Sequence, residues 1–147
     1  MRDYTLISAK ADKDSGVSIV RIGTDLGEFE GIAECCAEDT KHFSNYFGCR
    51  IAELRAGMKY AKAKIKYYRA RLDALESYEG TMCATRNWND QDYYVKKLFQ
   101  HIKNTEDQIA LWKNIYERRQ ERIKAIIADR DRYILKMEVP TNDSVHG

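Results

Sequence analysis

The stretch Phe47–Leu75, FGCRIAELRAGMKYAKAKIKYYRARLDAL, decides the fold. Phe47, Ile51, Leu54, Met58, Ala61, Ile65, Tyr68, Leu72 and Leu75 recur at alternating steps of four and three. That is the a/d heptad pattern of a helix that packs along another helix. With Asp39 as its N-cap, the pattern predicts one helix over 39–79, about 60 Å long at 1.5 Å per residue.

Downstream, Val95, Leu98, Ile102, Ile109, Trp112, Tyr116, Ile123, Ile126 and Tyr133 continue a seam of the same period, interrupted by Thr105, Arg119 and Arg130. Asn87 or Asn89 is the expected N-cap, and Asp90 and Asp92 suit the positive end of the dipole. Pro140 cannot extend the helix, so it is predicted over 89–137. The tail 140–147 is expected to be disordered. The connection SYEGTMCATRNW, Ser77–Trp88, is too short for a further element. The two helices should therefore fold back as an antiparallel hairpin.

Upstream, residues 1–36 read differently. YTLIS, VSIVRIG and EFEGIAEC are strand-like, and the turn-rich KADKDSG and TDLG lie between them. An antiparallel β-hairpin or meander fits. The expected fold is α+β: a small N-terminal antiparallel sheet, then a coiled-coil-like helical hairpin, as a single domain over 1–139.

Composition agrees with few, long elements, since 147 residues contain one proline and eight glycines. No apolar run approaches the length of a membrane span, and the N-terminal MRDYTLISAK lacks the apolar core of a secretory leader. The cysteines at 35, 36, 49 and 83 form no C-x-x-C. A reduced, cytoplasmic protein is expected.

The net charge of +2 hides a segregation. Residues 1–40 hold four Lys/Arg against nine Asp/Glu, whereas 41–71 hold nine Lys/Arg against Glu53 alone. Off the seams lie Tyr60, Tyr67, Tyr94, Phe99, Leu111, Ile115, Ile127 and Ile134. Apolar surface of that extent points to an interface, and a homo-oligomer, a dimer or a multiple of dimers, is expected.

No phosphate-binding loop, HExxH or GxSxG motif occurs, and His42, His101 and His146 have no partners at ligand spacing. His101 reads as a packed helix residue. Neither catalysis nor a cofactor or metal is expected. Lys59, Lys62, Lys66 and Arg69 form one outward stripe of the first helix, Lys64 and Arg71 another. These read mainly as solvated surface that raises the local potential for an anion, with Lys59 as a candidate contact. Arg55 and Gly57 are stronger candidates, because a guanidinium beside small residues suits phosphate or carboxylate recognition, the alternative for Arg55 being an intersubunit salt bridge. At the hairpin tip, Trp88 offers a stacking face, Arg86 a cation, and Asn87 and Asn89 donors and acceptors, next to free helix N-terminal amides; the alternative is a plain helix cap with Trp88 as a hydrophobic staple. Arg118 and Arg122 share a helix face and are expected either to clamp phosphates or to pair with Glu117 and Glu121.

GTDLGEFEGIAECCAEDTKHFSNYFGCRIAELRAG, Gly23–Gly57, resembles the strand-to-helix core of small phage proteins of the Thoeris anti-defence family, type one. The likeness rests on G-x-F-x-G-x-A, an acidic E-D helix start, and F-S-x-x-x-G-x-x-x-A-E-x-R-A. It departs from the family in CCAED, which lacks a proline at the junction. The resemblance implies an oligomeric sponge that holds a cyclic nucleotide signal, of the cyclic ADP-ribose or cyclic oligonucleotide type, without cleaving it. Arg55 and Gly57 fall within its A-E-x-R-A segment. An antiparallel partner would bring Trp88, Asn87 and Asn89 of one copy toward Arg55 of another. The alternative is a coiled-coil interaction module or an inhibitor of a host enzyme. The modest net charge and acidic head argue against a nucleic-acid binder.

Overall fold

The computed structural model describes the backbone of residues 3–34, 45–85 and 88–138, and the side chains of 3–34, 46–78 and 93–136. Alternating apolar residues form three strands, β1 (Thr5–Asp12), β2 (Val17–Thr24) and β3 (Gly27–Glu34), in one antiparallel sheet of order β1-β2-β3. Two long helices follow, α1 (Asn45–Thr85) and α2 (Trp88–Glu138). The α+β expectation therefore holds.

The element ends differ from the sequence reading. Strand β1 runs on through Lys10–Asp12, because these residues complete the ladder with Val17–Ile19. The turn contracts to four residues, closed by the Gly16 N–H donating to the Asp12 carbonyl at 2.8 Å, with Gly16 at φ 72°. A register shift between Leu6 and Ser8 bulges β1 at Ile7. Helix α1 continues to Thr85 through most of the expected connection. Gly80 is the one strong helix breaker there, and a single glycine costs only about 1 kcal/mol. Helix α2 begins at Trp88, so Asn89 lies inside it and is not its cap. Asp39, Asn87 and the tail 140–147 lie outside the described residues.

The chain divides into two compact units, one of residues 1–60 and 116–147, the other of 61–115. In the first, Ser18, Val20 and Ile22 of β2 and Gly31 and Ala33 of β3 form the buried sheet face. The facing core comes from Ile51, Ala52, Leu54, Ala56 and Tyr60 of α1, with Ile123 and Ile126 of α2. The Phe47 and Tyr133 rings meet at 5.7 Å, which sets α1 antiparallel to α2 when taken with the Gly57–Arg119 contact. Tyr60, expected among the off-seam exposed residues, is only 3% exposed. Its hydroxyl donates to Asp25 in the β2–β3 turn, and its ring lies 5.7 Å from Phe29. The sheet covers the helix face that heptad logic leaves bare.

In the second unit, Val95, Leu98 and Ile102 of α2 pack on Leu72 and Leu75 of α1. Ala61, Ile109 and Trp112 are buried as the seams predict. Thr105, an interruption of the α2 seam, is nonetheless 4% exposed. Seam position, not residue type, decides burial there.

Strand β3 meets α1 at Gly31. A Cβ on Gly31 would overlap the Ala52 carbonyl oxygen and lie 2.5 Å from the Ala56 nitrogen. Only glycine permits this approach, so Gly31→Ala should destabilise the protein by about 1–3 kcal/mol through overpacking. Urea unfolding checks this, with a lower midpoint and an unchanged slope expected.

Tyr60 generates a second expectation. Burial, then the Asp25 hydrogen bond and charge, push its phenol well above its usual value near 10. The folded state thus holds this proton more tightly than the unfolded chain. Its stabilising contribution is complete below about pH 10 and falls as pH rises above that, by about 1.4 kcal/mol per unit. Stability measured between pH 8 and about 11 should lose this alkaline fall in Tyr60→Phe.

Candidate functional site

Two places bring polar side chains together, one in each unit. In the first unit, Arg55 and Lys59 stand one helical turn apart on α1, an advance of about 6 Å. Alternate carbonyls along one edge of a strand are spaced by about 6.6 Å. The two spacings match. Arg55 Nη1 donates to the Ile32 carbonyl at 2.8 Å, and Lys59 Nζ donates to the Glu30 carbonyl at 2.7 Å. Gly31, between those carbonyls, lets the helix come close enough for both. Two residues singled out as anion contacts are therefore tied to the β3 backbone, while their side chains remain exposed.

Gly57 serves a neighbour. A Cβ there would sit 3.1 Å from Arg119 Nε, and Arg119 Nη1 donates to the Gly57 carbonyl at 2.7 Å. Arg119 also pairs with Asp3 at 2.5 Å and lies 5.4 Å from the Tyr4 ring centroid. Its side chain is 13% exposed. Next to it, the Tyr4 hydroxyl donates to Glu53 at 3.0 Å, and Arg50 donates to the same carboxylate at 3.2 Å. This cluster fastens the N-terminal residues to both helices of the unit. In the sequence Arg119 stands out as a break in the seam, a long cation at an a/d position. Beside the cluster, a shallow cavity of about 420 Å³ is lined by Asp3, Tyr4, Thr5, Gly23, Thr24 and Asp25.

Arg118 and Arg122 are exposed on α2, and Glu121 is bridged by Lys124 at 3.2 Å. Arg86 and Asn87 lie outside the described residues. Trp88 and Asn89 belong to the first turn of α2, and their side chains are likewise outside them.

In the second unit, Lys62, Lys66, Arg69 and Arg71 are exposed, as the stripe reading expects. Lys64 departs from it. It is 8% exposed, with its Nζ 5.6 Å from the centroids of both Trp112 and Tyr68 and 6.0 Å from that of Tyr67. The reason is aromatic: the negative faces of these rings receive the ammonium while the stem packs along the seam. Below this cage a cavity of about 370 Å³ is lined by Tyr68 and Arg71 of α1 and by His101, Asn104, Thr105 and Gln108 of α2. His101 is exposed on the cavity wall rather than packed within the helix pair. None of these six stands out in the sequence as a ligand contact.

No helix among the described residues is long and apolar enough to cross a membrane. No group of three or more His, Cys, Asp or Glu among them is placed to hold a metal ion. No family model, curated protein or solved structure matches the chain.

Arg119 carries the expectation for this part of the molecule. Arg119→Ala removes the donors to Gly57 and Asp3 and should cost about 1–3 kcal/mol in denaturant unfolding. Asp3→Asn, which spares the Gly57 bond, should cost less.

Proposed function

We propose that the protein captures a small anionic nucleotide, a cyclic ADP-ribose isomer or a cyclic oligonucleotide, and holds it without cleaving it. In this reading it is a phage anti-defence sponge acting in the host cytoplasm as a homo-oligomer. The resemblance of Gly23–Gly57 to the type one Thoeris anti-defence family suggests the ligand class. The observation that carries the reading is the exposed basic face of the second unit. Lys62, Lys66 and Arg69 form one solvent-facing stripe, Tyr67 and Arg71 are exposed on other sides of α1, and residues 57–71 contain no acid. A helix surface of that kind concentrates small anions. Capture needs affinity and slow release, which come from pre-organised walls rather than reactive groups.

A second reading is favoured by a different observation. Tyr67, Tyr78, Tyr93, Tyr94, Phe99 and Leu111 are large apolar side chains left exposed in the second unit. They suit a protein-interaction module or an inhibitor of a host enzyme.

One experiment separates the two. The purified protein is incubated with small-molecule extract from infected cells, washed and heat-denatured, and the supernatant is examined by mass spectrometry. Release of an intact cyclic nucleotide in proportion to protein is expected. A hydrolysed product formed in proportion to protein would make it an enzyme. Release of no nucleotide, with a protein retained in a pulldown, would establish the interaction reading.

A further inference from the structure

We propose that the cavity formed by Tyr68, Arg71, His101, Asn104, Thr105 and Gln108 is a binding site for a nucleoside phosphate. The proposal rests on the nucleotide reading above and places the ligand at residues that reading did not name.

Val95, Leu98, Ile102, Ile109 and Trp112 of α2 fill their seam positions with apolar side chains, whereas position 105 carries threonine. Thr105 is buried, and its hydroxyl donates to the His101 carbonyl at 2.8 Å, inside its own helix. It is too small to fill the space that a leucine or isoleucine occupies at such a position. Over it lies an open groove of about 370 Å³, within the range of small-molecule sites, whose walls are exposed Arg71, His101 and Asn104 and half-buried Tyr68 and Gln108.

The groove is lined by polar side chains. His101, Asn104 and Gln108 follow at three- and four-residue steps on α2, so they form one row of side chains on one side. Tyr68 and Arg71, three residues apart on α1, form the opposing side. No carboxylate occurs among the described lining residues, so nothing there repels an anion or pairs with Arg71 from within the cavity. A second cation stands close by: Lys64, anchored over Tyr68 and Trp112 at 5.6 Å from each centroid, raises the potential of the wall.

The groups suit the parts of one ligand. Arg71 offers a planar fork of donors to a phosphate. Asn104 and Gln108 each present a donor and an acceptor, the pair needed by the edge of a base. Tyr68 offers a ring to its face. A nucleoside monophosphate moiety matches the volume.

The full-length protein is titrated with AMP, ADP-ribose and cyclic ADP-ribose, with calorimetry for affinity and NMR for the imidazole of His101, assigned through His101→Gln. The expected result is a saturable shift of His101 with AMP, with ribose 5-phosphate and adenosine each binding more weakly than AMP. Arg71→Ala should weaken binding about tenfold or more, Gln108→Ala by less, and Arg71→Lys should restore part of the loss. Circular dichroism of these exposed-site variants should match the parent. If no probe moves His101, or if Arg71→Ala and Gln108→Ala bind as the parent does, the site is overturned. Variants that capture nucleotide from extract as well as the parent also overturn the site and leave sequestration standing. AMP seated at His101 in a protein that retains no cyclic nucleotide keeps the site and removes the sponge reading.

Discussion

A helix backbone can lie directly against a strand only where neither has a side chain to interpose. Gly31 supplies that gap on β3, and Ala52 and Ala56 line it on α1. Once the two backbones are that close, Arg55 and Lys59 reach the carbonyls on either side of the glycine. The rest of the first unit follows from this contact. It turns Val20 and Ile22 toward the helix and brings the β2–β3 turn under Tyr60. Dispersion and apolar burial provide most of the stabilisation, while the two cations set the register in which burial occurs.

The fold was legible because its signals repeat. Period two over residues 5–34 and the a/d steps from Phe47 to Tyr133 left little choice of class. The ends were less legible because they depend on single residues. The first helix, expected to end at 79, runs on to Thr85; Lys10–Asp12 looked like a turn and extended a ladder. Tyr60 and Lys64 were misplaced for a common reason. A heptad describes only a helix that meets one other helix, and here the sheet covers one side of α1 while an aromatic cage draws in Lys64. The tertiary surroundings of such residues are not written in their own neighbourhood.

The candidate site shows the same division. Arg55 and Lys59 stood out by type and spacing, and both side chains are held by β3 carbonyls. The cavity lining is inconspicuous in the sequence because His101, Asn104 and Gln108 are ordinary polar residues of an exposed helix. What distinguishes them is Thr105 in their midst. Interruptions of the α2 seam share a property: each puts a polar group where the helix pair would otherwise bury an apolar one. Thr105 floors the groove beside His101, and Arg119 ties Asp3 to the Gly57 carbonyl.

The capped carbonyls of β3 and the bulge of β1 also bear on how copies of this chain behave when crowded. A sheet grows by templating, each free edge offering a row of backbone groups to the next strand. On one side of this sheet an incoming strand must first displace two cations. On the other, the bulge at Ile7 breaks the regular row of donors and acceptors. Both rims are thus poor seeds, and the sheet is self-limiting at three strands.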